Sequence, residues 1–113
     1  MLPDPKNPPY PTESRSVVLL LECSFYFPGF QSLKEKRQVV QSILHGILPR
    51  FGAVGTVVDG MESHTRVTLG IVLISSSETE IRKRAESLIQ KLEQNPSYHI
   101  YEVRRYPFVP PES

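Results

Sequence analysis

Apolar residues alternate with a period of two from Val17 to Phe27. Val17, Leu19, Leu21, Cys23, Phe25 and Phe27 share one parity; Val18, Leu20, Glu22, Ser24 and Tyr26 share the other. The pattern predicts a strand with one fully apolar face and one mixed face. Pro28-Gly29 supplies turn chemistry at its end. The period then changes. Val39, Val40, Ile43, Leu44, Ile47 and Leu48 recur at helical spacing and form one stripe. Ser32 and Glu35, three residues apart ahead of that stripe, have the spacing of a capping box. A helix is therefore expected from Ser32 to about Leu48, where Pro49 and Gly52 stop it.

A short strand follows over Ala53–Asp59, and Asp59-Gly60 with Met61–His64 reads as a turn or a longer hairpin loop. The next strand, Thr65–Ser75, sets Val67, Leu69, Ile71 and Leu73 on one face and Arg66, Thr68, Gly70, Val72 and Ile74 on the other. A second capping pair, Ser77 and Glu80, precedes an amphipathic helix lined by Ile81, Ala85, Leu88, Ile89 and Leu92. Asn95-Pro96 ends it, and a last strand runs from Tyr98 to about Tyr106.

The order strand–helix–strand–strand–helix–strand predicts an α+β, ferredoxin-like βαββαβ sandwich. This plan has a four-stranded antiparallel sheet with two helices on one face. The first and third strands become the central pair. Their outward parity carries Val18, Leu20, Tyr26, Val72 and Ile74, interrupted by Glu22, Ser24, Arg66 and Thr68. Large contiguous apolar patches are uncommon on monomers, so this face is expected to be covered. A homodimer is the favoured cover, either through the face or through edge strands. Single-stranded RNA stacked on the sheet is disfavoured, because the stretch Arg66–Ile74 contains no aromatic residue.

Length and composition narrow the classes. The chain has 113 residues, one domain's worth, with 13 basic and 12 acidic side chains and a formal charge of +1. Such a balance excludes a polycationic nucleic-acid wrapper and an acidic tail. The one cysteine excludes a disulfide framework. No apolar run approaches the ~20 residues of a membrane span, and the first residues do not read as a signal peptide. A cytoplasmic protein without membrane association is expected. Five of the 11 prolines lie at Pro3, Pro5, Pro8, Pro9 and Pro11, and three more at Pro107, Pro110 and Pro111. The expected organisation is a disordered Pro-rich arm over 1–15, a folded domain over 16–108 and a tail over 109–113.

The chemistry-bearing residues are few. Lys34, Lys36 and Arg37 crowd the start of the first helix, where cations oppose the positive end of the macrodipole. Their cost there suits an anion-binding role, with solvated side chains the plainer explanation. Arg104-Arg105 is a further basic pair. His45, His64 and His99 fall on separate elements with no metal-ligand spacing, and Cys23 reads as an inert core residue. No phosphate cradle is present, and the Asp59/Glu62 pair is weak ground for acid/base work. Neither a catalytic site nor a cofactor or metal site is expected.

The run Phe27–Arg37, with its Ser32-Leu33-Lys34-Glu35-Lys36-Arg37 core, resembles the YlxP-like family, domain of unknown function number 503. Val39-Val40, Pro49-Arg50-Phe51 and Arg66–Ile71 extend the resemblance, which covers about Ser16 to Val103. It implies a ferredoxin-like fold with no established activity. Genes of the family often neighbour a ribosome-binding factor, which implies work linked to ribosomes or RNA. The chain departs from the pattern at Val57, His64 and Gly52, where members usually carry glutamate, tryptophan and asparagine. Ser32, Lys34, Lys36, Arg37 and Arg66 match and are the candidate anion- or RNA-binding residues.

Two functions from different classes are therefore expected. The first is a dimeric, non-catalytic module that contacts ribosomal RNA or a ribosome-associated factor through the first helix start. The second is a small-molecule-sensing regulatory domain that binds an effector beside Pro28-Gly29.

Overall fold

The computed structural model describes residues 15–29 and 32–110. The Pro-rich arm expected over 1–15, the end of the expected tail and Phe30-Gln31 lie wholly or largely outside the described residues. The chain is α+β. Strands β1 (Val17–Tyr26), β2 (Ala53–Asp59), β3 (Arg66–Ser75) and β4 (His99–Phe108) form one antiparallel sheet in the order β2-β3-β1-β4. As expected, β1 and β3 are the central pair. The helices are α1 (Leu33–Ser42) and α2 (Glu78–Glu93).

The two parities of β1 have different fates. Val17, Leu19, Leu21, Cys23 and Phe25 are buried, as are Val67, Leu69, Ile71 and Leu73 opposite them in β3. Val40 and Ile43 from the first helical segment join this core, as do Ile81, Ala85, Leu88, Ile89 and Leu92 of α2. One apolar stripe per helix thus meets one apolar sheet face, and the removal of that surface from water drives the packing. Tyr98 closes one end of the core. Its ring stands edge-on to Phe25 at 4.9 Å between centroids, and its hydroxyl donates to the Leu92 carbonyl at 2.5 Å.

Both serine hydroxyls cap their helices as expected, but the Ser77 amide donates to Ser75 Oγ and not to the Glu80 carboxylate, so the Ser77 capping box is not closed. Ser32 Oγ accepts from the Glu35 amide at 3.1 Å, and Ser77 Oγ from the Glu80 amide at 3.2 Å. The end of the first helix differs from expectation. Its α geometry ends at Ser42, a π turn spans Ile43–Ile47 and a 3-10 turn spans Leu48–Phe51. Pro49 is the physical reason. It cannot donate, and its ring would clash with the carbonyl four residues back in an α-helix. The wider turn relieves this conflict, with the Leu48 amide donating to the Ile43 carbonyl. Gly52, at φ 64°, closes the segment in the left-handed region.

The β2–β3 connection is the longer of the two loops expected. Gly60 takes φ 81°, and its carbonyl accepts from the Ser63 amide at 3.1 Å. Ser63 Oγ in turn accepts from the Thr65 and Arg66 amides at 3.2 and 3.1 Å. These bonds make the loop a fixed structure beside α1.

Candidate functional site

The start of α1 carries fewer free cations than its sequence promised. Lys34 and Arg37 are exposed, and so is Ser32, whose hydroxyl already serves as the cap. Lys36 corrects the expectation: it is 2% exposed. Its ammonium donates to the Gly60 carbonyl at 2.7 Å and to the Ser63 carbonyl, both in the β2–β3 loop. Burial lowers its pKa below the ordinary 10.5, the neighbouring Arg37 lowers it further, and Glu62 acts in the opposite sense. Lys36 is therefore a bolt between helix and loop, not a surface contact for a large anion. The sequence signal was its position one turn before Val40 on the apolar stripe.

Arg66 also departs from the expected cluster. It projects from the sheet face opposite the helices, exposed, with its guanidinium 5.7 Å from the centre of the Tyr101 ring. Arg104 and Arg105 do not extend a basic surface either. Arg105 faces the helices and pairs with Glu86 at 2.8 Å, whereas Arg104 faces outward and pairs with Glu102 at 2.6 Å. Basic residues are thus distributed over both sides of the sheet, and Lys34 and Arg37 remain the exposed pair at the α1 start.

The outer sheet face divides into two halves. At one end, register places Phe108, Val18 and Ile74 in one row and Tyr106, Leu20, Val72 and Val54 in the next. Val54 is 75% exposed, Ile74 59% and Phe108 55%, while Val18 and Leu20 are half-buried. Four of the five expected face residues, Val18, Leu20, Val72 and Ile74, gather here. The fifth, Tyr26, lies at the far end of β1 beside Arg66, His99 and Tyr101. Sequence reading missed Val54, Tyr106 and Phe108, because it left the pairing of the edge strands open.

The other half is polar. Glu22, Ser24, Asp59, Thr68, Glu102 and Arg104 line a depression of about 410 Å³. Ser24 and Thr68, directly opposite in register, share a hydroxyl hydrogen bond of 2.9 Å. On the helix side, a separate groove of about 270 Å³ lies between α1 and the β2–β3 end of the sheet. It is lined by Lys36, Arg37, Val40, Gln41, Val57, Met61 and Val67.

A family model described as "Protein of unknown function (DUF503)" matches residues 18–105. The chain belongs to this family. No curated protein matches it. The matched span of this DUF503 member contains the Ser32–Arg37 motif, Arg66 and all five expected face residues. It stops short of Tyr106 and Phe108, which supply the aromatic part of the apolar half.

Cys23 is fully buried, and burial pushes its pKa up to about 11 against a smaller lowering effect of Arg105. A thiol so placed is a poor nucleophile. Among the described residues, no three His, Cys, Asp or Glu side chains come together in a way that could hold a metal ion. No helix among them is long and apolar enough to cross a membrane.

Proposed function

We propose that the protein is a non-catalytic cytoplasmic binding module of ferredoxin-like architecture. It acts as a homodimer through its open sheet face and meets an anionic partner such as ribosomal RNA through Lys34 and Arg37. The strand order β2-β3-β1-β4, with both helices feeding one core, supports the architectural reading.

One observation carries the functional reading: the contiguous exposed rows of Val54, Val72, Ile74, Tyr106 and Phe108. Apolar surface gathered in this way marks an interaction site. The adjoining half carries both signs of charge, with Glu22, Asp59 and Glu102 against Arg66 and Arg104. A second copy related by a two-fold axis satisfies both halves at once, since a self-complementary surface needs apolar area and balanced charge. RNA suits this face poorly, because three carboxylates sit in its middle. It suits the far side of the sheet, where Lys34 and Arg37 are exposed.

Light scattering on the full chain tests the dimer. Twice the chain mass is expected, with Val72→Glu plus Ile74→Glu giving a folded monomer. A wild-type monomer at high concentration overturns the reading. Ribosome association should fall with Lys34→Glu plus Arg37→Glu. Two cations predict a modest salt slope of about −1.4 in log K against log salt for single strands. Unchanged association removes the RNA part.

A further inference from the structure

We propose that the groove between α1 and the β2–β3 end of the sheet binds a small monocarboxylate with an apolar body. The carboxylate sits at Lys36 and Arg37, and the body lies against Val40, Val57, Met61 and Val67. This goes beyond the dimer and the RNA contact, and the groove lies on the opposite side of the sheet from the proposed dimer face.

Three observations point to that ligand class. First, the polar groups lining the groove are Lys36, Arg37 and Gln41, with no acid among them. The other substantial cavities differ. The one between α2 and β4 mixes Glu78 and Glu86 with Arg82 and Arg105, and the depression on the outer face holds three carboxylates. Among the three larger cavities the α1 groove alone has an unbalanced positive lining, and charge complementarity selects an anion. Second, its remaining lining is aliphatic or thioether, so a bare inorganic anion would leave that surface unused. An apolar site with a few convergent polar groups is the usual form of a small-molecule pocket. The volume of about 270 Å³ equals about nine waters, which sets a small ligand.

Third, Lys36 is a buried cation without a close counterion. Its two hydrogen-bond acceptors are neutral carbonyls, and no described carboxylate lies within 4.0 Å of it. An ammonium has three donors, so one remains for a ligand oxygen. Buried charge is costly unless paired. Glu62 acts on it only at longer range and does not offset the lowering of its pKa by burial and by Arg37. A ligand carboxylate would supply the missing negative charge, while Arg37 at the exposed rim offers a second donor set.

The test titrates the full chain with sodium octanoate and follows it by NMR. 1-Octanol, octylamine and inorganic phosphate serve as separate controls. Octanoate is expected to shift the methyl resonances of Val40, Val57, Met61 and Val67 in a saturable manner. Octanol, octylamine and phosphate should each bind at least about tenfold more weakly, the worth of one charge-assisted hydrogen bond. Met61 is 56% exposed, so Met61→Glu should fold normally and weaken octanoate by a similar factor, as should Arg37→Gln. Lys34 does not line the groove, and Lys34→Glu should leave octanoate affinity unchanged while reducing RNA association. Absence of saturable shifts at those methyls overturns the proposal. So does octanol binding as tightly as octanoate, or full affinity in Met61→Glu. The dimer reading is unaffected by any of these results, since light scattering decides it separately.

Discussion

The Lys36 ammonium on α1 stands 2.7 Å from the Gly60 carbonyl in the loop joining β2 and β3, 24 residues away in sequence. The loop carbonyls at Gly60 and Ser63 form its receptor, so helix and hairpin are fixed to each other by one side chain. Lys36→Ala removes both bonds and the buried stem, and about 3 kcal/mol of destabilisation is expected. Lys36→Met keeps the stem and loses only the charged donors, with a cost of about 1–2 kcal/mol, because removing a buried charge offsets part of the lost bonding. Chemical denaturation of the two variants gives the ranking. Hydrogen exchange should rise at the loop amides in both.

Gly60 is the other half of that bolt. At φ 81° it occupies backbone space that side-chain-bearing residues avoid, and a Cβ there would lie 2.7 Å from the Arg66 carbonyl. Gly60→Ala therefore combines left-handed strain with a backbone clash. A loss of about 2 kcal/mol or more is expected, read as a lower thermal midpoint. An unchanged midpoint would mean that the loop relaxes without cost.

What was legible in the sequence follows the range of each interaction. The parity of β1 and β3, the Ser32 and Ser77 caps and the apolar stripe of α2 are local patterns, and each reappears as drawn. The fate of Lys36 depends on carbonyls contributed by a distant loop. Its place on the Val40 stripe hinted at burial, but nothing local indicated an acceptor. The π turn at Ile43–Ile47 was hidden for a similar reason: Pro49 announces that the α ladder must fail but not how the chain absorbs the failure. Of the outer face, the central strands were readable. The edges were not, because two irregularities in register, at Ser24/Phe25 and Val57/Asp59, reset which side chains face outward. Asp59 illustrates this: Val57, two residues before it, lines the groove on the helix side, whereas Asp59 stands opposite Thr68 and lines the depression on the outer face.

Tyr98 joins the end of α2 to the core through one hydroxyl and two ring contacts. Tyr98→Phe keeps the packing against Phe25 at 4.9 Å and Phe27 at 5.5 Å and removes the donor to the Leu92 carbonyl. A cost of about 1 kcal/mol is expected, with faster exchange confined to the last turn of α2. Tyr98→Leu should cost more, since it also removes the aromatic contacts. Equal losses in the two variants would show that the hydroxyl carries the whole effect.

Alkaline conditions should weaken the fold through Cys23. Its thiol has an ordinary pKa of 9.0 and is raised to about 11 by burial. Between those values the unfolded chain has lost the proton and the native chain retains it, so stability falls as pH rises from about 9 toward about 11. The difference corresponds to a loss on the order of 2–3 kcal/mol at the top of that window. Tyr98, raised from 10.0 to about 12, adds a loss of the same sign above pH 10. Lys36 acts oppositely, since a base held below its ordinary value regains stability as it deprotonates in the native state. The interval from pH 9 to 10 therefore isolates Cys23 from Tyr98, though not from Lys36. Denaturation series for the wild type, Cys23→Ala and Lys36→Met separate the three. Cys23→Ala should lower stability at pH 7 and flatten the decline between pH 9 and 10, and Lys36→Met should steepen it. An alkylating reagent should label Cys23 only at the rate of unfolding. Rapid labelling of the native protein, or a decline unchanged in Cys23→Ala, would place the thiol in a more open site than the core described for it.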